Sequence, residues 1–147
     1  MKDDEITMAT ITEDYVSFET AKLLREKGFK EPTLAYAYGQ DMVAYYSQPR
    51  VTDDYKVEAG RYPLPTLQMA CKWLREVHKL HIMTNCVGRV NYDPIVQGFD
   101  GKDYEIEGVE VGTTKLINDK WMVVRRGFKT NELAVEAAIK YCLENLI

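Results

Sequence analysis

The spacing of apolar residues switches repeatedly along this sequence between a helical and a strand period, and this restricts the fold more than any motif. Three segments place apolar residues every three or four positions, as one face of an α-helix requires. Between them, apolar residues alternate with polar ones, or large residues with small, as in β-strands. Helices separated by runs of strands predict an α+β fold, a mostly antiparallel sheet with about three helices packed on one face.

The predicted helices begin and end at local signals. The first begins at Ser17, whose hydroxyl can cap free N–H groups, and stops at Gly28-Phe29 in a Schellman motif. The second starts around Pro65-Thr66, with proline in its first turn, and the third is capped by Thr130. The stripe predicted to be buried on the second helix is Leu67, Ala70, Cys71, Leu74 and Val77, bordered by Trp73. On the third helix it is Val135, Ala138, Ile139, Cys142 and Leu146.

Strands and tight turns account for most of the remaining chain. Asp100-Gly101 predicts a hairpin because both positions tolerate positive φ, and Asn118-Asp119 predicts a second one. The predicted strands cover 34–38, 42–46, 82–90, 95–99 with 102–107, and 113–117 with 120–126. Residues 47–64 are predicted to be irregular, and so long a segment is either functional or hides a short strand.

The length and charge of the chain limit its organisation and its partners. The 147 residues fit one domain, predicted at 15–147 after a polar N-terminal arm at 1–14. The formal net charge of −4 argues against a dedicated duplex-binding role. The sequence shows neither a signal peptide nor an apolar run long enough to cross a bilayer, so we expect a cytoplasmic protein without membrane contact.

Cysteine, histidine and acidic residues give no metal or cofactor site. The three cysteines, Cys71, Cys86 and Cys142, have no CxxC spacing and are predicted to be reduced, buried thiols. His78 and His81 are three residues apart, but the predicted helix ends between them. The acidic stretch at 100–107 lacks the ligand spacing of an EF-hand. We therefore predict no metal and no cofactor.

Enzymatic activity stays open, although the sequence favours a protein that is not an enzyme. Nucleophile-elbow, P-loop, dinucleotide-binding and zincin motifs are missing. Asp53-Asp54 is a candidate catalytic or metal-binding pair, but solvation of a loop explains it equally well. An enzyme with an unrecognised site therefore remains one alternative.

Tyrosine is the most unusual feature of the chain. Six tyrosines and two arginines fall close together, and they are the candidate binding residues: Tyr36, Tyr38, Tyr45, Tyr46, Arg50, Tyr55, Arg61 and Tyr62. Tyrosine and arginine are enriched at interface hot spots, which favours a protein interface or a homodimer. Aromatic rings beside cations also suit stacking on single-stranded bases. The third interpretation is structural, because tyrosine is a good strand residue and alternation buries half of them.

Three segments of the chain resemble a group of short, uncharacterised proteins carried by phages, prophages and mobile elements of gut Bacteroidetes. The similar segments are VSFETAKLLREKGF from Val16, Pro65-Thr66 through KWLREVH ending at His78, and ELAVEAA from Glu132 with the terminal Leu146-Ile147. The resemblance covers the three predicted helices and implies a cytoplasmic accessory protein of a mobile element. It implies no activity, cofactor or catalytic residue.

Together these observations predict a non-enzymatic accessory or interaction protein of a phage or mobile element. We expect it to bind a protein partner, or a second copy of itself, through the tyrosine-rich region. The alternatives are a single-stranded nucleic-acid binding module and an enzyme with an unrecognised site.

Overall fold

The computed structural model describes residues 14–87, 91–98, 101–106, 109–110, 114–117, 120–123 and 126–147. Its helices are α1 (Phe18–Glu26), α2 (Asp54–Glu58), α3 (Leu67–Val77) and α4 (Asn131–Tyr141), which continues as a π-helical turn at Cys142–Leu146. Its strands are β1 (Thr33–Ala37), β2 (Val43–Arg50), β3 (Tyr62–Leu64), β4 (Leu80–Val87), β5 (Asn91–Gly98), β6 (Asp103–Glu105), β7 (Val109–Glu110), β8 (Thr114–Ile117), β9 (Lys120–Val123) and β10 (Arg126–Gly127). These elements confirm the α+β class. The predicted N-terminal arm lies almost entirely outside the described residues.

The strands form small antiparallel sheets rather than one continuous sheet. Two sheets have three strands each, in the orders β2-β1-β3 and β4-β5-β6. Strands β7 and β10 pair with each other, as do β8 and β9. Helix α1 contacts β3, while α3 and α4 contact β4, and α4 also contacts β5. Helix α1 therefore packs against the β2-β1-β3 sheet, and α3 and α4 pack against the β4-β5-β6 sheet.

The local signals for helix ends are confirmed. Ser17 Oγ accepts a hydrogen bond from the Thr20 N–H at 3.2 Å, while Gly28 takes φ +101° and the Phe29 N–H donates to the Leu24 carbonyl at 2.9 Å. Thr66 and Thr130 cap α3 and α4 in the same way as Ser17 caps α1. Pro65 lies before the cap of α3, so the prediction that it occupies the first helical turn is wrong.

A carboxylate from α4 also closes the start of α1. The Ser17 N–H donates to Glu136 Oε1 at 3.1 Å, and the Ser17 hydroxyl donates to Oε2 at 2.8 Å. The Thr20 hydroxyl bonds to the same Oε2. Because N–H groups at a helix start lack partners within the helix, this carboxylate fixes α4 against α1.

The buried core differs from the predicted stripes on both helices. On α3, Trp73 is 7% exposed and packs edge-to-face on Phe29 at 5.5 Å, whereas Val77 is 56% exposed. The prediction for Val77 is wrong because α3 ends at this residue, beyond the packed turns. On α4 and its π-helical turn, Ala134 and Leu143 are fully buried although the predicted stripe omitted them. Ala134 lies four residues before Ala138 and Leu143 four residues after Ile139, so both fit the helical period and widen the buried face.

The segment predicted to be irregular contains three ordered elements. Strand β2 continues to Arg50, α2 follows, and β3 pairs with β1 through Ala35 with Leu64 and Ala37 with Tyr62. The hidden short strand is therefore β3, which has only three residues, too few to show a period. The hairpin between β5 and β6 is confirmed by Gly101 at φ +81°. Asp100 and the turn at Asn118-Asp119 lie outside the described residues, although β8 and β9 pair as predicted.

Candidate interaction surface

The β2-β1-β3 sheet has an inner and an outer face, which follow from the alternation along β1. Thr33, Ala35 and Ala37 are buried, so they lie on the inner face, and Leu34 and Tyr36 lie on the outer face. Cross-strand pairing places Ala44 of β2 and Pro63 of β3 beside Tyr36. Because paired residues of an antiparallel sheet share a face, Ala44 belongs to the outer face, and so does Tyr46 two residues later. A register shift between Thr33 and Ala35 breaks this alternation before Arg50.

Aromatic rings and cations meet on this outer face. The Tyr36 ring lies 4.7 Å from Tyr46 and 6.4 Å from Tyr38, measured between ring centroids. The Arg61 guanidinium lies 4.4 Å from the centroid of Tyr36, and Arg50 lies 5.3 Å from that of Tyr46. A cation over an aromatic ring contributes about 0.5–1 kcal/mol at exposed sites. We call this set, with Tyr55 of α2, the tyrosine face.

A groove of about 600 Å³ lies between the outer face of the β2-β1-β3 sheet and α2. Its lining consists of three tyrosines, two alanines and two cations: Tyr36, Tyr38, Ala44, Tyr55, Lys56, Ala59 and Arg61. Tyr38 is 50% exposed and Tyr55 is 67% exposed, and Lys56 Nζ lies 5.8 Å from the Tyr55 ring centroid. We call this cleft the tyrosine groove.

A buried arginine fixes the segment that carries α2. The Arg25 side chain is 7% exposed, and its Nη2 donates to the Thr52 carbonyl at 3.0 Å and to Asp54 Oδ1 at 2.5 Å. The Tyr46 hydroxyl shares a hydrogen bond of 3.2 Å with Thr52 Oγ1. These contacts join α1, the tyrosine face and the start of α2, so the groove has a fixed wall.

Of the candidate pair Asp53-Asp54, Asp54 takes part in these contacts. The hydrogen bond from Arg25, with the charge of Lys30 at 3.7 Å, lowers the pKa of Asp54 below its usual value. Asp53 is the N-cap residue of α2, and its side chain makes no capping hydrogen bond. Asp54 therefore has a structural role as the partner of Arg25.

Two of the predicted binding tyrosines lie elsewhere. Tyr62 pairs with Ala37 on the inner face and packs edge-to-face on Phe18 at 5.7 Å. Tyr45 pairs with inner-face Ala35, and its ring, 62% exposed, lies 6.2 Å from Tyr15. The structure thus brings together the other six predicted residues, which are Tyr36, Tyr38, Tyr46, Arg50, Tyr55 and Arg61. Sequence reasoning missed Lys56, a third cation in the same stretch that its position beside Tyr55 could have indicated.

The histidines and cysteines lie away from the tyrosine groove. His78 ends α3 and lies edge-on to Trp73 at 4.7 Å, and burial lowers its pKa; His81 is exposed on β4. Burial raises the pKa of the Cys71 thiol to about 11 and that of Cys142 to about 12. Cys86 is exposed, so the prediction that this thiol is buried is wrong. Among the described residues, no group of three or more His, Cys, Asp or Glu side chains is placed to hold a metal ion.

A second cleft, of about 800 Å³, lies between α3 and the start of α4. Its lining combines Lys72 and Arg75 with Asp14 and Glu132, so opposite charges face the same space. The tyrosine groove, by contrast, is lined by three tyrosine rings and by charged residues of one sign. Within the described ranges, no helix is long and apolar enough to cross a membrane.

Comparisons with known proteins give no relatives. No protein-family model matches the sequence, no curated protein is detectably similar to it, and no solved structure matches it. The function must therefore be argued from the surface that the fold itself creates.

Proposed function

We propose that this protein is a non-enzymatic interaction module that binds a protein partner through the tyrosine face. The observation that carries this proposal is the exposure of large apolar side chains on and beside the outer face of the β2-β1-β3 sheet. Tyr38, Tyr55, Leu34 and Met42 are 50%, 67%, 42% and 49% exposed, and Met42 is joined to Tyr38 by a backbone hydrogen bond. Exposed apolar patches rimmed by polar groups mark interaction sites, and tyrosine and arginine dominate their binding energy.

Two observations favour a protein partner over single-stranded nucleic acid. The Tyr36 ring already contacts Tyr46 and Arg61, which leaves less ring surface on which a base could stack. The formal net charge of −4 also repels a polyanion at long range. A segment of a protein partner carries fewer negative charges than a nucleic-acid strand, so the long-range repulsion is weaker. Its side chains can also contact the rings without stacking flat on them.

The setting of this interaction is a separate proposal. We infer from the resemblance of the three helices that the module is a cytoplasmic accessory protein of a Bacteroidetes phage or mobile element. That resemblance is the whole support for this setting. The tyrosine face supports binding irrespective of the source of the chain.

Selection from a displayed random-peptide library tests the proposed function. We expect wild-type protein to enrich peptides whose affinity falls at least about tenfold for a Tyr38→Ser/Tyr55→Ser variant, because each ring of a hot spot contributes more than about 1 kcal/mol. The matched control is Tyr45→Ser, which removes an equally exposed tyrosine of the inner face and should leave binding unchanged.

Light scattering on the same variants measures their mass in solution and tests whether the partner is a second copy of the chain. A wild-type dimer that becomes a monomer in the Tyr38→Ser/Tyr55→Ser variant would identify the partner as a second chain. Peptides that bind this double variant as tightly as the wild type would refute the proposed function. So would a monomeric wild type that enriches no peptide.

A further inference from the structure

We infer that the tyrosine groove takes a short acidic segment of its partner, with an apolar side chain of that segment between two carboxylates. In this arrangement the apolar side chain rests on the rings of Tyr38 and Tyr55. The carboxylates pair with Arg61 and Lys56. The inference rests on the proposed function and adds the chemistry of the ligand.

The charges that line the groove are all of one sign. Arg61 and Lys56 belong to the lining, and no acidic residue does. Some other cations in the described part of the chain have carboxylate partners: Arg25 and Lys30 with Asp54, Lys72 with Glu76, and Lys140 with Glu19. Among the described residues, neither Arg61 nor Lys56 forms such a pair. The described lining of the groove thus presents two cations and no carboxylate to a ligand.

The ring contacts orient these cations without neutralising them. A guanidinium placed over a ring keeps its N–H donors in its own plane, where they can bind a carboxylate with two parallel hydrogen bonds. Arg61 lies over Tyr36 in this way, at 4.4 Å. Because its side chain is already held in place, less conformational entropy is lost when a carboxylate binds.

The same charges exclude other ligands that tyrosines recognise. Aromatic cages bind methylated ammonium groups through the negative faces of their rings. Here Arg61 and Lys56 lie over ring faces and repel a ligand cation. An acidic segment satisfies both cations, while the exposed rings of Tyr38 and Tyr55 provide apolar contact area for the side chain between the carboxylates.

Three matched peptide libraries test this chemistry. All share the same apolar positions, and their variable polar positions carry Asp and Glu, Asn and Gln, or Lys and Arg. We expect wild-type protein to enrich ligands from the acidic library. Their affinity should fall about tenfold or more for Lys56→Gln/Arg61→Gln, since a hydrogen bond to a charged group contributes about a factor of ten in affinity. It should also fall with added NaCl.

The controls separate this inference from the proposed function. Lys22→Gln removes a cation that lies 5.3 Å from the Phe18 ring centroid, outside the groove, and should leave affinity unchanged. Arg61→Glu should shift enrichment towards the basic library. Ligands from the uncharged library that depend on Tyr38 and Tyr55 but not on Lys56 and Arg61 would overturn the inference and leave the proposed function standing. Ligands independent of those tyrosines would overturn both. The absence of ligands from every library would overturn the inference, and with a monomeric wild type it would overturn the proposed function as well.

Discussion

Replacing single residues along α3 separates what the apolar pattern predicts from what the structure shows. Leu74 and Val77 belong to the same predicted stripe, three residues apart. In the structure Leu74 is fully buried and Val77 is 56% exposed. Leu74→Ala and Val77→Ala should therefore have very different effects on the free energy of unfolding, although the sequence pattern treats the two positions alike.

The expected magnitudes follow from burial. Leu74→Ala removes roughly three buried carbon atoms, which costs about 2.4 kcal/mol at ~0.8 kcal/mol per methylene. The cavity left in a packed core raises this cost to about 3–5 kcal/mol. Val77→Ala removes about two carbon atoms that are less than half buried, and alanine has the better helix propensity. We therefore expect its free energy of unfolding to change by less than about 0.5 kcal/mol.

Equilibrium unfolding in urea, followed by tryptophan fluorescence, measures both values. Leu74→Ala should lower the unfolding midpoint with an unchanged m-value, and in a thermal scan the melting temperature should fall by roughly 10–16 °C. A Val77→Ala variant destabilised as much as Leu74→Ala would show that α3 is buried beyond its described end. A Leu74→Ala cost below about 1 kcal/mol would show that the core is not packed as described.

Two further predictions concern the thiols and the pH dependence of stability. Ellman's reagent should modify exposed Cys86 within minutes in the folded protein, half-buried Cys71 much more slowly because its pKa is raised, and buried Cys142 only on unfolding. One rapid equivalent is expected, and three would contradict the described core. Burial lowers the pKa of His78 in the folded state below its ordinary 6.5, so the unfolded state binds the proton more readily, and stability should fall as the pH drops from 6.5 towards the folded pKa. His78→Gln should flatten this part of the urea-midpoint profile, and an unchanged slope would exclude His78 as its cause.

The sequence predicted which residue types form the binding site better than it predicted where those residues lie. The clustering of tyrosine and arginine was visible directly, and six of those eight residues meet on one face. Tyr45 belongs to the predicted set because alternation along one strand gives two faces but not their identities. Tyr62 belongs to it because its strand, β3, is too short to show a period and was predicted to be irregular. Which face is inner depends on the helices that cover it, and these are distant in the chain.

The sequence was sufficient to predict the features that depend on neighbours a few residues away. The cap at Ser17 and the glycine stop at Gly28 were correctly predicted, because their hydrogen bonds close within one helical turn. The α+β class followed from the two periods in the same way. The sequence did not predict that the buried stripe of α3 ends before Val77. The helical spacing of apolar residues continues to Val77, but in the described part of the chain no packing partner covers that position.

The position of the groove and the charges that line it follow from contacts between distant parts of the chain. The register of β1 between β2 and β3 places Ala44 and Pro63 beside Tyr36. Arg25, 29 positions before Asp54, holds the start of α2 beside that sheet. Both depend on pairing between residues far apart in the chain, whose free energy comes from burial and hydrogen bonds that no local pattern records.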